Sequence, residues 1–262
     1  MRVVHAAVSQ APANSHCLRI AAAGDIHCSE HHPEEVRRPF ARLDPSADLL
    51  LLAGDLTTHG EPQQAQALAE ACADLQIPVV AVLGNHDWHA DRAQELVSVL
   101  ESAGVTVLDR GWTVCRAGGV DVGIVGSKGF LGGFAGSHLP DFGELLLRQV
   151  YGETSLEVEA LEQGLREVAV CPVRVVLLHY APTPETIAGE PNGIWAFLGS
   201  DRLAAPIRQH EPDLVLHGHA HAGTFHGRIG PVPVYNVSVP VIGRDFWLFE
   251  LDVAPHSRSP VH

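Results

Sequence analysis

The sequence lacks the features that mark membrane, secreted and disulfide-rich proteins. No apolar run approaches the roughly 20 residues that a membrane-spanning helix needs. The apolar stretch at residues 3–8 is short and interrupted by His5, so we do not expect a signal peptide. The 5 cysteines form no CxxC pair, which argues against a disulfide framework or a structural zinc site. We therefore expect a cytoplasmic protein.

Positive charge is also scarce. The chain has 17 Lys and Arg residues against 31 Asp and Glu residues, a formal net charge of −14. Because binding of extended nucleic acid depends on Lys and Arg neutralising phosphates, we favour a small substrate, with a nuclease as an alternative because bound cations would offset part of the charge. Histidine is abundant, with 17 residues, and imidazole is the commonest metal ligand among side chains.

The first half of the chain alternates between apolar runs and helical patterns. Runs at 18–23, 48–53 and 77–83 have the length and composition of buried strands. Helical patterns at 61–75 and 92–103 follow the second and third runs. This β-α-β-α order predicts a parallel sheet with crossover helices.

The second half has a different pattern. Three apolar runs separated by glycine-containing turns indicate hairpins, and a glycine-rich loop, a long helix, a buried strand and a shorter helix follow. These segments are 105–108, 112–116 and 120–125 for the hairpins, 126–143 for the loop, 144–168 for the long helix, 173–179 for the strand and 203–209 for the shorter helix. Residues 213–252 contain four short apolar runs and no helical pattern.

These elements together predict an α/β protein of two mixed β-sheets, packed as a sandwich and flanked by helices. At 262 residues the chain is long enough for one such domain. We expect this domain to cover residues 18–253, after a lead-in segment at 1–17 and before a polar tail at 254–262.

Polar side chains that bind metals follow five of the apolar runs. In open α/β sheets, ligands bind outside the carboxyl ends of the strands, so we expect these side chains to converge on one cleft. Glycines beside them allow the backbone to turn sharply and to approach an ion. These side chains lie in the segments 24–27, 54–55, 84–87, 179 and 217–221.

Carboxylate, amide oxygen and imidazole together suit manganese, iron, zinc or cobalt, and we favour manganese or iron. One aspartate can bridge two ions about 3.5–4 Å apart. A water shared between two such ions becomes a hydroxide nucleophile near neutral pH, while the ions neutralise the phosphate oxygens. Such a pair of ions can therefore activate water for the hydrolysis of a phosphoester.

The ordered motifs D-x-H, G-D, G-N-H-D, H and G-H-x-H run from Asp25 to His221. This string resembles that of the calcineurin-like metallophosphoesterase family. The resemblance implies a first metal bound by Asp25, His27, Asp55 and His221. It implies a second metal bound by Asp55, Asn85, His179 and His219, with Asp55 as the bridge.

The same resemblance implies catalytic roles for two residues. His86 is similar to the histidine that protonates the leaving group or stabilises the phosphate, and Asp87 to the carboxylate that orients this histidine. Residues 54–62 resemble the second motif of small bacterial phosphodiesterases, including class III cyclic-nucleotide phosphodiesterases. We therefore expect a small phosphodiester substrate, such as a cyclic nucleotide.

Substrate contacts are expected outside the motifs, because family members share the ligands. Lys128 is a candidate phosphate contact and Phe134 a candidate stacking surface for a base. His138, in the same glycine-rich loop, and Trp195 are further candidates. A phosphomonoesterase or a nuclease would use the same ligands, and a metal-binding scaffold without turnover is the alternative of another class. Oligomeric state is left open.

Overall fold

The apolar runs form eleven strands in the computed structural model, which describes residues 16–253. The strands are β1 His16–Ala23, β2 Leu49–Ala53, β3 Val79–Val82, β4 Val105–Leu108, β5 Gly111–Ala117, β6 Val120–Ser127, β7 Val173–Leu178, β8 Leu214–His217, β9 His226–Ile229, β10 Val232–Asn236 and β11 Trp247–Val253. The α-helices are α1 Pro33–Ala41, α2 Pro62–Cys72, α3 Ala93–Ser102, α4 Leu145–Glu167, α5 Trp195–Leu198, α6 Ala204–His210 and α7 Val239–Ile242.

The strands form two mixed sheets. The first has the order β11-β1-β2-β3-β4, in which β1 to β4 are parallel and β11 is an antiparallel edge strand. The second has the order β5-β6-β7-β8-β10-β9, in which the four central strands are parallel and both edge strands are antiparallel. The predicted fold class, an α/β sandwich of two mixed sheets flanked by helices, is confirmed.

Both faces of the central strands are buried, which explains their uninterrupted apolar runs. All five residues of β2 are buried. Because side chains alternate along a strand, Leu51 packs between the sheets with Val175 of β7, whereas Leu50 packs against the outer helices with Phe40 and Leu68. This packing on both faces holds the strands in place, and with them the loops that follow their carboxyl ends.

Several local elements differ from the sequence prediction. Helix α1 was not predicted, because its sequence is polar, contains Pro39 and buries only Val36 and Phe40. The predicted hairpin between β4 and β5 is wrong, since the two strands belong to different sheets. The chain changes sheet at Arg110, which has a φ of 51°. The expected absence of helix after 213 is also wrong, by the single turn of α7.

The structure describes little of the two predicted end segments. The predicted lead-in at 1–17 and the tail at 254–262 lie outside the described residues, except for 16 and 17, which belong to β1. The division into one domain with two flanking segments stays a prediction. Across residues 16–253, no helix combines the length and the apolar character needed to cross a membrane.

Candidate metal centre

The seven predicted ligands follow strands of both sheets. Asp25 and His27 follow β1, Asp55 follows β2, Asn85 follows β3, His179 follows β7, and His219 and His221 follow β8. The parallel strands of the two sheets bring these loops to the same end of the sandwich. Six of the seven fall into groups whose potential ligand atoms lie within 4.8 Å of one another, and the seventh, Asn85, is hydrogen-bonded to one of them.

The first group contains Asp25, His27 and His221. His221 Nε2 lies 2.9 Å from Asp25 Oδ1, and the backbone N–H of His219 also donates to this carboxylate. Burial alone would raise the pKa of Asp25, but the hydrogen bond from His221 and the nearby histidines lower it to about 2. Asp25 is therefore a buried, ionised carboxylate, which is a strong attractor for a cation.

The second group contains Asp55, His179 and His219, with Asn85 beside them. His179 Nδ1 lies 2.9 Å from the carbonyl of Ala53, so this nitrogen carries the ring proton, since a carbonyl only accepts. Burial lowers the pKa of His179 to about 4, and the ring is therefore neutral at pH 7. Its Nε2 then presents a lone pair to two oxygens, Asn85 Oδ1 at 2.9 Å and Asp55 Oδ1 at 3.3 Å.

Three acceptor atoms, His179 Nε2, Asn85 Oδ1 and Asp55 Oδ1, thus face one another without a donor between them. A divalent cation can bind all three, since nitrogen, amide oxygen and carboxylate are ligands that transition metals accept. The other nitrogen of His179 is fixed by a backbone carbonyl, as is usual for metal-binding histidines. The residues present therefore fit a metal ion.

Asp55 lies between the two groups. Its Oδ2 is 3.9 Å from His27 Nε2, whereas its Oδ1 faces His179. Burial, and then the charge of Asp25, raise the pKa of Asp55 above its ordinary value. The two oxygens of one carboxylate thus face two sets of acceptors, and a cation on either side would offset the repulsion from Asp25.

The backbone at the site is strained. Asp25, His27, Asp55 and His219 have φ values of 58°, 49°, 48° and 69°. This left-handed region costs non-glycine residues on the order of 1–3 kcal/mol each and is concentrated at functional sites. Across residues 16–253, seven non-glycine residues have positive φ, and four of them are predicted ligands. The strain therefore coincides with the proposed centre.

Glycines give the ligands their space, as expected. A Cβ atom at Gly84 would collide with the backbone nitrogen and Oδ1 of Asp55. One at Gly218 would collide with Oδ2 of Asp25. The two carboxylates can therefore lie against the neighbouring loops only because these positions have no side chain.

Comparison with known proteins supports the same chemistry. The model of the calcineurin-like phosphoesterase family matches residues 18–223. The chain belongs to this family. It is a metal-dependent phosphoesterase, a hydrolase of phosphoric ester bonds, and its family uses divalent metals.

Individual relatives are distant. The chain is 25% identical over 224 residues to a protein described as a probable cyclic nucleotide phosphodiesterase from Synechococcus, covering 83% of this chain and 77% of that protein. The structure resembles the phosphopantetheinyl hydrolase PptH from Mycobacterium tuberculosis, with a TM-score of 0.64, 16% identity, and coverage of 94% of this chain and 99% of that chain. It also resembles GAP50, an anchor in the inner membrane complex of Plasmodium, with a TM-score of 0.54, 12% identity, and coverage of 86% and 72%. At these identities the two structures support the fold alone.

The phosphoesterase has His86 beside both ligand groups. His86 Nε2 lies 3.9 Å from Asp55 Oδ2, and the His86 ring centroid lies 4.7 Å from that of His27. His86 Nδ1 donates to the carbonyl of Thr58 at 2.9 Å, which leaves Nε2 facing the site. His86 Nε2 therefore faces the space between the two ligand groups, and its catalytic role stays a prediction.

The predicted role of Asp87 has to be corrected. Its carboxylate is completely buried and accepts hydrogen bonds from the backbone N–H groups of Gly84, Leu56 and Thr57 and from the Thr57 hydroxyl. The partner that fixes His86 is instead the carbonyl of Thr58. Asp87 joins the loop after β2 to the loop after β3 and does not orient the histidine.

The four predicted substrate contacts have different surroundings. Lys128 lines a cavity that also contains Asn85. Phe134 is 1% exposed and packs in a small apolar cluster with Trp195, so its ring offers no surface for a base, contrary to the prediction. Trp195 Nε1 donates to the carbonyl of Glu190, and His138 Nε2 lies 2.7 Å from Asp201 Oδ2. Of the four, only Lys128 shares a cavity with a predicted ligand among the cavities described.

Two aromatic residues near the site were missed by the sequence analysis. The Tyr180 ring centroid lies 4.5 Å from that of His219. Trp88 is 42% exposed and lines the same cavity as Lys128. Each lies within two positions of a predicted residue, His179 or His86, and inspection of the residues adjoining the motifs could have found both.

Proposed function

We propose that this phosphoesterase binds two metal ions and hydrolyses a small phosphodiester, such as a cyclic nucleotide. The observation that carries the proposal is the pair of ligand groups on the two sides of Asp55. Asp25, His27 and His221 would hold one ion with Asp55, and Asn85, His179 and His219 would hold the other with Asp55. Manganese or iron is favoured by this donor set.

Two such ions would supply Lewis acidity for the phosphate oxygens and would lower the pKa of a bound water. The chain supplies neutral imidazoles for them, because burial lowers the pKa of both His179 and His219 to about 4. His86, whose ring is held by the carbonyl of Thr58, would give a proton to the leaving oxygen. No nucleophilic side chain is required, so the proposed reaction is direct attack by water.

A small diester is favoured over the alternatives by three observations. The Synechococcus relative is described as a probable cyclic nucleotide phosphodiesterase. The cavity beside Asn85, of about 460 Å³, has the size of a small-molecule site. The net charge of −14 disfavours long nucleic acid. The same ligands would serve a phosphomonoesterase, and a scaffold without turnover is disfavoured because no ligand of the motif string is missing.

The test compares the parent protein with Asn85→Ala and Asp55→Ala, and with Asn192→Ala as a control at an exposed asparagine. Substrates are an aryl monoester, a bis-aryl diester, 2′,3′- and 3′,5′-cyclic nucleotides and single-stranded DNA, with manganese supplied. We expect both site variants to bind less metal and to lose at least about 100-fold in kcat/KM, because ligand loss removes the Lewis acid. The control should match the parent.

Two results would contradict the proposal. Full metal content and parent activity in Asn85→Ala would show that the ligand assignment is wrong. A parent protein that binds metal but hydrolyses none of the five substrates would favour the scaffold alternative.

A further inference from the structure

The cavity beside Asn85 contains the single lysine of the chain, Lys128. Trp88, Phe130 and Tyr180 form aromatic parts of its wall. Lys128 directly follows β6, so the turn after this strand brings its ammonium group towards the end of the sandwich where the ligand groups lie.

The ammonium group of Lys128 has few partners. Its Nζ lies 4.4 Å from the ring centroid of Phe130 and 5.2 Å from that of Tyr180. Within residues 16–253, its hydrogen bonds amount to one contact, at 3.3 Å, with the carbonyl of Gly129, and no carboxylate lies within ion-pair distance. An ammonium has three donors, so at least one remains available to a ligand.

Two of the three carboxylates of the cavity wall, those of Glu153 and Glu157, share Arg110 as their ion-pair partner, and the third belongs to Asp109. Arg110 donates to Glu157 at 2.9 Å and to Glu153 at 2.6 Å. Glu157 is buried and also accepts from the Ser127 hydroxyl and from the backbone N–H of Gly129. Glu157 thereby fixes the turn on both sides of Lys128, and none of the three wall carboxylates lies within ion-pair distance of the Lys128 ammonium group.

Lys128 is half-buried and forms no ion pair with the described residues, so its free donors can bind an anion that enters the cavity. On the basis of the proposed phosphoesterase function, we propose that the cavity is the substrate-recognition site and that Lys128 donates hydrogen bonds there to an anionic group of the substrate. The anionic group is either the phosphoryl group that is hydrolysed or a second anionic group on the same substrate.

The kinetic test uses Lys128→Met, which removes the charge but keeps the length of the side chain, and Lys128→Arg, which keeps the charge. The control is Arg116→Met, which removes one positive charge from an exposed pair with Asp121 at the opposite end of β6. The substrates are bis-p-nitrophenyl phosphate, with one anionic group, and the p-nitrophenyl ester of thymidine 3′,5′-bisphosphate, with two.

Hydrogen bonds to charged groups correspond to losses of roughly 10- to 100-fold. If Lys128 binds the reacting phosphoryl group, kcat/KM of Lys128→Met falls by about this factor for both substrates. If it binds a second anion, the loss appears only with the bisphosphate. In either case Lys128→Arg should recover part of the loss and Arg116→Met should match the parent. Parent values of kcat/KM for both substrates in Lys128→Met would overturn the proposal.

A second measurement does not depend on turnover. Reductive methylation with ¹³C-formaldehyde labels only the terminal amine and Lys128, because the chain has one lysine. Adding inorganic phosphate to the zinc-loaded labelled protein should shift the Lys128 methyl signal and leave the terminal signal in place. Competitive inhibition by phosphate without any shift would contradict contact between Lys128 and the reacting phosphoryl group. Absence of hydrolysis by the parent protein would instead count against the proposed function, since this signal can still be followed.

Discussion

At the scale of single residues, His86 and Asp87 are neighbours in the chain with separate tasks. The side chain of His86 is one-third exposed and faces both ligand groups. Asp87 is fully buried, and four donors from two loops converge on its carboxylate. Burial raises the pKa of Asp87 to about 6 despite these donors, which shows how far the carboxylate is from solvent.

We predict that Asp87→Ala lowers the stability of the metal-free protein. The substitution leaves the donors of Gly84, Leu56 and Thr57 buried without an acceptor, and the free energy of unfolding should fall by about 3–5 kcal/mol. Urea unfolding followed by circular dichroism measures this change. Asp74→Ala, at an exposed aspartate, should stay within about 0.5 kcal/mol of the parent.

The competing interpretation is that Asp87 acts through His86. It predicts an Asp87→Ala protein that unfolds like the parent and loses the same activity as His86→Ala. That pair of results would restore the orienting role that the structure does not support.

At the scale of elements, the site is built from the ends of strands. The loops after β2 and β3 lie so close together that Gly84 has no room for a Cβ atom beside Asp55. Gly152, by contrast, lies inside helix α4, and a Cβ atom there would have no neighbour within 4 Å outside the helix's own backbone. The two glycines therefore offer the same substitution in opposite environments.

We predict opposite effects for Gly84→Ala and Gly152→Ala. The first should displace Asp55, lower the metal content and reduce kcat/KM at least about tenfold, because a proposed bridging ligand moves. The second should keep full activity and raise the free energy of unfolding by about 0.5–1 kcal/mol, the usual gain of alanine over glycine in a helix. Metal analysis and kinetics of both variants test this. Parent metal content in Gly84→Ala would mean that the loops can separate without cost.

The sequence predicted these strand ends well because their signals are local. Asp25, Asp55 and Asn85 are each marked by an apolar run and a glycine that lie within a few positions of the residue itself. Helix α1 has no such signal, since its burial depends on Phe246, which lies about 200 residues away along the chain and packs against Phe40. Burial of Phe134 likewise depends on a distant aromatic residue, Trp195.

Sheet membership was harder to predict than strand position. The strands β4 and β5 are separated by two residues, as in a hairpin, yet each pairs with other strands. What separates them is the conformation at Arg110 and the pairing of this residue with Glu153 and Glu157 on α4. Such a contact over more than 40 positions leaves no periodic pattern in the sequence.

At the scale of the whole molecule, the two sheets depend on one another for the site. The first sheet carries Asp25, Asp55 and Asn85, and the second carries His179 and His219. A core of residues from both sheets, including Leu51 and Val175, fixes the distance between them. The proposed second ion would therefore join the two halves of the sandwich, and its binding would add to the stability of their packing.

The overall charge of the molecule leads to a prediction that separates a small-diester enzyme from a nuclease. With a formal net charge of −14, the body of the protein repels an oligonucleotide much more strongly than it repels a substrate with one negative charge. Salt screens this repulsion over a Debye length of about 10 Å at 0.1 M. The ratio of kcat/KM for a single-stranded oligonucleotide to that for a bis-aryl phosphate should therefore rise severalfold as sodium chloride increases from about 0.02 to 0.5 M.

A nuclease that binds the phosphate backbone through cationic side chains behaves in the opposite way, because its binding releases counterions and weakens as salt increases. A ratio that falls with salt would thus favour the nuclease alternative, and the bis-aryl phosphate serves as the internal control for effects of salt on the metal centre itself.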